Sequence, residues 1–224
     1  MVASHILKLQ LGETTEVPVH TAIIAGWTGR DKVALEKHIA ELEELGVRRP
    51  ASTPIFYRVA ASRLTTAQLL ESSGSESSGE AEFVLLRHDG RLWVGVGSDH
   101  TDRKVETYNI TVSKQMCDKP VAPQFWDYET VSGHWDQLIL RSYVVENGAR
   151  VLYQEGSVAA MLSPDELLAR WAAPLEDGTL MFCGTLAARG GIRPADRFEY
   201  ELEDPVTGRR IAHAYDVKNL PIAG

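Results

Sequence analysis

The sequence predicts a mainly β protein with a few short helices, in the α+β class. Segments with strand-like patterns of apolar residues recur along the 224-residue chain, and only two segments have helical periodicity. The dipeptides Asp89-Gly90 and Asn147-Gly148 each separate two such segments, as two-residue hairpin turns do. We therefore expect sheets to form most of the core.

The first part of the chain predicts strands and one helix. Three segments are predicted strands: residues 6–11, 20–26 and 54–60. The stretch 27–46 is a predicted helix, because apolar residues recur in it every three or four positions. Thr28 and Asp31 resemble a capping box, and Gly46 is a plausible helix terminator.

The second part of the chain predicts more strands and a second helix. The serine- and glycine-rich run 71–79 is a predicted loop. Residues 134–162 and the C-terminal segment are predicted to be rich in strand. Residues 163–175 form a predicted short helix, with Ser163 as its cap and Pro164 at its first position.

The composition is that of an ordinary globular protein. The chain is 44% apolar and 24% charged, and it is long enough for a single domain over residues 1–224. A formal net charge of −8 argues against a nucleic-acid partner, which usually requires a basic face. Two cysteines, Cys117 and Cys183, are too few for a disulfide framework and have no zinc-site spacing.

The apolar runs of the sequence predict no membrane partner. The first residues lack a basic region followed by a long apolar run, so we expect no signal peptide. No segment approaches ~18 consecutive apolar residues, the length that crosses a bilayer. The expected location is therefore the cytoplasm.

The predicted hairpin around Asp89-Gly90 gathers acidic side chains at one end. A two-residue turn there pairs residues whose numbers sum to 179, so that Glu80 faces Asp99 and Glu82 faces Gly97. Opposed residues share a face, and like charges on one face repel. A hard divalent cation would relieve this repulsion, because carboxylate oxygens suit Mg²⁺, Mn²⁺ or Ca²⁺. A solvated acidic hairpin end is the alternative. Gly97 is expected to leave empty space beside Glu82.

The order of several motifs resembles the fumarylacetoacetate hydrolase superfamily. The E-x-E strand is followed by DHTDR (99–103), by VSKQMC (112–117) and by a C-terminal stretch that contains MLSPDELLARW and GTLAARGGIRPADRFEYELE. The resemblance covers roughly residues 20–217 and is closest to a small branch of that superfamily. It implies a β-roll of mixed sheets, usually as a homodimer, with Mg²⁺ as the usual metal.

The resemblance also implies roles for individual residues. The implied metal ligands are Glu80, Glu82 and Asp99, and the implied contacts to the substrate's carboxylate and oxo oxygens are Arg103, Lys114 and Thr185. Lys114 is expected on the strand that follows Asp99. An H-x-x-E pair on the first helix, His38 and Glu41, would activate water. An exposed charged helix is the alternative for EKHIAELEE.

The sequence departs from the family pattern at two motifs. The helix that carries His38 is longer than usual, and Gly184-Thr185-Leu186 lacks the proline of the family's glycine-threonine motif. The resemblance implies a metal-dependent hydrolase that cleaves a carbon–carbon bond in a 2-oxo or 1,3-dicarbonyl carboxylic acid, such as an acylpyruvate. A decarboxylase, a tautomerase or isomerase, and a non-catalytic small-molecule binding protein are the alternatives.

Other interpretations of individual residues are also open. Arg103 and Lys114 are candidates for pairing with Asp102 and Asp118 instead of substrate. The remaining candidates are a Cys117 nucleophile with His100 or His134 as its base, a metal motif of His134 and Asp136, and a pocket or cap role for Arg30 and Asp31.

Overall fold

The computed structural model describes residues 4–44 and 49–223, which form two mixed β-sheets with short helices around them. The strands are β1 (His5–Leu11), β2 (Glu13–Val19), β3 (Thr21–Gly26), β4 (Ile55–Val59), β5 (Leu64–Thr65), β6 (Leu69–Ser73), β7 (Ser77–Ser78), β8 (Ala81–His88), β9 (Arg91–Ser98), β10 (Thr101–Asp102), β11 (Lys119–Pro120), β12 (Trp126–Asp127), β13 (Ile139–Glu146), β14 (Ala149–Ser157), β15 (Thr179–Thr185), β16 (Arg197–Asp204) and β17 (Arg209–Leu220). The α-helices are α1 (Lys32–Glu44), α2 (Arg103–Glu106), α3 (Ile110–Met116), α4 (Glu129–Ser132) and α5 (Pro164–Arg170). The predicted fold class, mainly β with short helices and mixed sheets, is confirmed.

Each of the two large sheets combines parallel and antiparallel pairs. The six-stranded sheet has the order β12-β9-β8-β15-β3-β4, in which β15 is parallel to β3 and antiparallel to β8. The five-stranded sheet has the order β14-β13-β16-β17-β6, in which β17 and β6 are parallel. Three short ribbons, β1-β2, β5-β11 and β7-β10, complete the strand pairing of the described residues.

Strand β8 is buried on both of its faces. Phe83 and Leu85 belong to the core that includes residues of the five-stranded sheet, such as Tyr200. Val84 and Leu86 point the other way, into a second core that the β1-β2 ribbon covers. A strand covered on both faces requires a continuous apolar run, which explains the sequence FVLL at this position.

The hairpin β8-β9 has the register that the sequence predicts. Asp89 and Gly90 both have positive φ, at 50° and 71°, as a two-residue hairpin turn requires. Glu82 pairs with Gly97, and the ladder continues past the strands because the Asp99 N–H donates to the Glu80 carbonyl at 2.9 Å. The turn chemistry at one end of the hairpin therefore fixes which acidic residues meet at the other end.

Two local predictions differ from the structure. Asp31 itself caps α1 by accepting from the N–H groups of Val33 and Ala34, whereas Thr28 is a buried residue of the preceding chain. The run 71–79 is not wholly loop, because it contains the end of β6 and all of β7. These short strands pair with β17 and β10, which are distant in sequence. The composition of residues 71–79 alone therefore does not predict them. The predicted terminator Gly46 lies outside the described residues.

No helix in the described part of the chain is both long enough and apolar enough to cross a membrane.

Gly97 lies in a filled space and not beside an empty one, which corrects the sequence expectation. A Cβ at this position would lie 2.7 Å from Phe182 Cε1 and 2.9 Å from the Pro120 carbonyl oxygen. The Phe182 side chain and the Pro120 carbonyl of β11 therefore pack directly against the backbone opposite Glu82.

We predict that Gly97→Ala lowers the free energy of unfolding by about 1–3 kcal/mol, because overpacking here must move a core side chain and backbone. Gly133→Ala is the matched control, since a Cβ there meets nothing within 4 Å and the residue has negative φ. Urea unfolding measures both variants. An unchanged midpoint for Gly97→Ala would show that the packing around the hairpin is loose.

Candidate metal centre

Three carboxylates converge at the open end of the β8-β9 hairpin. Glu80 precedes β8, Glu82 is its second residue, and Asp99 directly follows β9. One ligand oxygen from each of the three lies within 4.8 Å of the other two. Glu82 and Asp99 are buried, and Glu80 is partly buried. The convergence that the hairpin register predicts is therefore observed.

Glu82 is held by a bulge in the neighbouring strand. The register of β15 against β8 shifts between Phe182 and Thr185, and Gly184 within the bulge has a φ of 99°. The Gly184 N–H donates to a Glu82 carboxylate oxygen at 2.7 Å. Only glycine fits at this position, because a Cβ would lie 1.8 Å from Thr28 Oγ1. The close approach of Thr28 explains why the glycine-threonine motif has glycine at position 184.

Glu82 is the least compensated carboxylate of the three. Among the described residues no basic side chain forms an ion pair with it, in contrast to Glu80 and Asp99. Burial, and after it the nearby Asp99 carboxylate, raise the pKa of Glu82 well above its usual range. A further cation would therefore be most favourable beside Glu82.

Two lysines hold the two oxygens of Asp99. Lys114 Nζ donates to Oδ2, and Lys119 Nζ lies 3.0 Å from Oδ1. Burial would raise the pKa of Asp99, but Lys114 and Lys119 outweigh it and hold the pKa below its usual range. Lys114 lies on helix α3 and not on a strand, which corrects the sequence expectation for its element.

Arg103 compensates Glu80. Its Nη2 lies 3.3 Å from the Glu80 carboxylate, and its Nη1 donates to Glu106 at 2.9 Å. Its Nε donates to the Ser78 hydroxyl at 2.7 Å. Burial would lower the pKa of Arg103, but Glu80 and Glu106 outweigh it and raise the pKa further. Neither Arg103 nor Lys114 forms the predicted alternative pairs with Asp102 or Asp118; Asp102 instead caps α2.

Thr185 lies beside the centre with its hydroxyl already bonded. Its Oγ1 donates to the Ala81 carbonyl at 2.8 Å and accepts from Gln154 Nε2 at 2.7 Å. The Gln154 side-chain oxygen accepts from the Ala81 N–H at 3.0 Å. Gln154 therefore joins β14 to the chain between the two glutamates, and a Thr185 contact to substrate stays a prediction.

An aromatic wall connects the centre to helix α1. The Tyr57 ring centroid lies 5.9 Å from Lys114 Nζ, and the Tyr57 hydroxyl shares a hydrogen bond with the Trp27 side chain. Trp27 has an unusual positive φ of 58° and lines a cavity of about 250 Å³. Leu35 and Ile39 of α1 line the same cavity, as the predicted apolar stripe of that helix requires. Trp27 thus shares a cavity with α1 and a hydrogen bond with Tyr57, whose ring lies beside Lys114.

The His38–Glu41 pair lies on α1, but both side chains are outside the part of the molecule that the structure describes. The backbone there is helical, as predicted. The catalytic role of the pair stays a prediction.

The contacts of the remaining candidate residues favour structural roles. Cys117 is a buried thiol whose hydrogen-bond partner is Ser72 at 3.8 Å, and burial raises its pKa. Both ring nitrogens of His100 bond elsewhere, to Tyr215 and Ser77, and not to Cys117. His134 Nε2 lies 3.0 Å from Asp204 Oδ1.

The predicted His134–Asp136 metal motif is not formed, because Asp136 instead pairs with Arg30 at 2.8 Å. Arg30 also donates to the Met161 carbonyl at 3.1 Å. The cap role is confirmed for Asp31.

The sequence reasoning missed Lys119, Tyr57 and Gln154. Tyr57 and Gln154 are distant from the hairpin along the chain, whereas Lys119 lies in the segment that follows it; each reaches the centre through sheet or helix packing. A weak signal for Lys119 was present, since a lysine five residues after Lys114 lies in an otherwise apolar stretch, KPVAP. No motif in the sequence around Tyr57 or Gln154 indicates that either residue lies near the carboxylates.

Solved structures with this fold include several fumarylacetoacetate hydrolase family proteins. The yeast protein ynq8 of that family is 19% identical, with 92% of this chain and 95% of that chain covered and a TM-score of 0.64. A family protein from Yersinia pestis CO92 is 14% identical, with 95% and 100% covered and a TM-score of 0.62. The fold of this chain is therefore that of fumarylacetoacetate hydrolase family proteins.

A third similar structure contains a metal. The 2-keto-3-deoxy-D-arabinonate dehydratase complexed with magnesium and 2,5-dioxopentanoate is 16% identical, with 96% of this chain and 79% of that chain covered and a TM-score of 0.62. No curated protein matches this chain in sequence.

The chain thus combines a fumarylacetoacetate-hydrolase-like fold with a candidate divalent-cation site. The chain belongs to the family described as "Protein of unknown function (DUF2848)", whose model matches residues 25–215. The match includes the whole hairpin and all three carboxylates.

The residues present fit a hard divalent cation. All three candidate ligands offer carboxylate oxygens, which Mg²⁺ and Mn²⁺ prefer. Glu82 is a buried carboxylate without a basic partner among the described side chains, and its raised pKa marks a place where positive charge is favourable.

We predict that Glu82→Gln lowers the affinity for Mn²⁺ by at least ~10-fold, as loss of a ligand requires, without lowering the melting temperature of the metal-free protein. The amide keeps an acceptor for the Gly184 N–H and removes a buried charge. Isothermal titration calorimetry and thermal unfolding measure the two effects.

The control is Glu71→Gln, which removes an exposed carboxylate paired with Lys218. It should leave the affinity for Mn²⁺ unchanged. Equal Mn²⁺ affinities for wild type and Glu82→Gln would remove Glu82 from the ligand set.

Proposed function

We propose that this protein is a divalent-metal-dependent enzyme that cleaves a carbon–carbon bond in a 2-oxo or 1,3-dicarbonyl carboxylic acid, such as an acylpyruvate. The observation that carries the proposal is the convergence of Glu80, Glu82 and Asp99 within 4.8 Å beside buried basic side chains. Acidic ligands for a cation and basic groups for an anion are thus adjacent. A substrate with a carboxylate next to an oxo group suits both at once.

Arg103 and Lys114 are the proposed contacts to the carboxylate of the substrate. Both nitrogens lie beside the carboxylate triad, and both side chains are largely shielded from solvent. Shielding strengthens their attraction for an anion, because the local dielectric is lower than that of water. Tyr57 would supply an aromatic wall and a hydroxyl on the side of Lys114.

Glu80, Glu82 and Asp99 would hold the cation, and a cation bound there would act as a Lewis acid toward neighbouring substrate oxygens. In the proposal Glu41 orients His38, and His38 removes a proton from the attacking water. The hydroxide then adds to the carbonyl carbon, and the carbon–carbon bond breaks with its electron pair on the oxo-acid fragment, which is later protonated.

A lyase reaction such as decarboxylation, or a tautomerisation or isomerisation, is the second candidate. The dehydratase of the same fold, which is complexed with magnesium and 2,5-dioxopentanoate, supports it. Decarboxylation, tautomerisation and dehydration of an oxo acid share one feature. In each reaction negative charge develops on the oxo oxygen of the substrate. None of them requires water to attack a carbonyl carbon, so the products formed separate these reactions from hydrolysis.

The test of the function is a panel of 2-oxo acids and 1,3-diketo acids assayed with Mg²⁺, with Mn²⁺ and with EDTA. We expect turnover of at least one acylpyruvate-like acid, complete loss with EDTA and recovery when the metal is restored. Product analysis by NMR identifies cleavage, decarboxylation or isomerisation. Turnover that persists after complete removal of metal would contradict the proposal.

We predict that His38→Ala lowers kcat for hydrolysis by about 10²–10⁴-fold, the usual contribution of a general base, and leaves the affinity for Mn²⁺ unchanged. His88→Ala, at the turn end of the hairpin, is the control and should keep wild-type kcat. Wild-type hydrolysis by His38→Ala would exclude the pair. Normal turnover to a decarboxylated or isomerised product would favour the second candidate.

A further inference from the structure

The main chain between the two glutamates lies where a ladder of the six-stranded sheet ends. The last pair of β15 with β8 is Thr185 with Glu82, so Ala81 lies just beyond this ladder. Side chains hold Ala81 at that point. Its N–H donates to the Gln154 side-chain oxygen at 3.0 Å, and its carbonyl accepts from the Thr185 hydroxyl at 2.8 Å. Gln154 and Thr185 thus take the place of a strand partner beside the candidate metal ligands.

Gln154 is 1% exposed and uses every hydrogen-bonding position of its amide. Besides the Ala81 N–H, its oxygen accepts from the Ser142 hydroxyl at 2.7 Å. Its nitrogen donates to the Thr185 hydroxyl at 2.7 Å and to the Leu186 carbonyl at 2.6 Å. A main-chain N–H can only donate and a main-chain carbonyl can only accept, so these partners fix which end of the amide faces which group. The amide is therefore saturated and held in one orientation.

This amide connects the strand of the two glutamates to the other large sheet. Gln154 belongs to β14 of the five-stranded sheet, whereas Ala81 and Thr185 belong to β8 and β15 of the six-stranded sheet. Side chains alternate along a strand, so Ala81 points into the core, on the face opposite to that of Glu80 and Glu82. A displacement of the Ala81 main chain would therefore move both glutamates relative to the third carboxylate.

We infer that Gln154 is a positioning residue for the candidate metal site, which fixes the main chain at Ala81 so that the glutamates on either side direct their oxygens to one cation. The inference rests on the proposed function, because it assumes that a divalent cation binds the carboxylate triad. Protein groups fill all four positions of the amide, so Gln154 acts through Ala81 and is not itself a ligand. Loss of the amide should weaken metal binding even when the protein stays folded.

The experiment is a calorimetric titration of Mn²⁺ into the full-length protein and its Gln154→Met variant, at a temperature well below the unfolding transition of both. Methionine keeps the length of the side chain and removes all four hydrogen bonds. We expect the variant to bind Mn²⁺ at least ~10-fold more weakly than the wild type, as is usual when a residue that orients a metal ligand is lost. Equal affinities would overturn the inference.

The matched control is Ser142→Ala, which removes one buried hydrogen bond of the same amide and leaves the contact with Ala81. Both variants should lower the melting temperature of the metal-free protein, because each removes buried hydrogen bonds. Only Gln154→Met should weaken Mn²⁺ binding, whereas Ser142→Ala should keep the wild-type affinity. Equal weakening in both variants would show that general loss of stability explains the effect, and this outcome would overturn the positioning role.

A second readout is the electron paramagnetic resonance spectrum of bound Mn²⁺ at saturation, which reports the arrangement of the ligand oxygens. A merely structural role of Gln154 would leave the wild-type spectrum, whereas displaced glutamates should change it. If Gln154→Met does not fold, Gln154→Asn keeps the amide but shortens its stem by one methylene, so it cannot keep all four hydrogen bonds. It should show the same weaker binding and altered spectrum. Wild-type affinity and spectrum in the folded variant would overturn the inference.

The outcomes separate this inference from the proposed function. A wild-type protein that binds no Mn²⁺ would contradict both, because no cation then occupies the triad. Mn²⁺ binding that depends on Gln154, in a protein that turns over no oxo acid of the panel, would support the inference and contradict only the proposed reaction. Turnover of an oxo acid, with variants of Gln154 that bind Mn²⁺ as the wild type does, would contradict only the inference.

Discussion

The structure around the hairpin end depends on one constraint: acidic side chains that are buried together must be compensated. The β8-β9 register brings Glu80, Glu82 and Asp99 onto one face, and the surrounding chain removes most of the solvent from them. Repulsion between carboxylates is much stronger in such an environment than in water. The segments that follow the hairpin therefore have to supply positive charge.

Compensation comes mainly from the chain that directly follows β9. Between residues 103 and 119 this chain supplies Arg103 for Glu80 and both lysines for Asp99. The other side of the centre is formed by β15, whose bulge aims the Gly184 N–H at Glu82. Basic groups and a main-chain donor thus surround the triad from two parts of the chain that are far apart in sequence.

Much of the fold could be predicted from sequence because its strongest signals are local. Asp89-Gly90 determines a turn, the turn determines the register, and the register determines which carboxylates meet. The short strands β6 and β7 could not be predicted in the same way, because a serine-rich segment becomes strand only when β17 and β10 provide its hydrogen bonds. For α1 the sequence left more than one cap arrangement open, and the backbone geometry of the structure selects Asp31 over Thr28.

The basic side of the centre was less predictable than the acidic side. Spacing along a hairpin places Glu82 and Asp99 together, but no spacing rule connects Lys119 to Asp99, because their contact depends on how β11 packs beside β9. Lys114 was identified through the resemblance and was expected on a strand, whereas it lies on α3. Side chains that come from different elements require the tertiary structure.

The energetics of the centre favour a role other than stability. Buried ion pairs contribute little net stability, and apolar residues of similar size at such positions often give a more stable protein. A cluster selected only for structure would also give each carboxylate a basic partner. Within the described residues Glu82 has a main-chain donor and no ion pair, and its pKa is raised by burial. Glu82 is therefore an uncompensated buried carboxylate next to three basic groups, and such an arrangement is destabilising by itself. In the proposed function, a divalent cation would compensate the three carboxylates, and an organic anion would compensate Arg103 and Lys114.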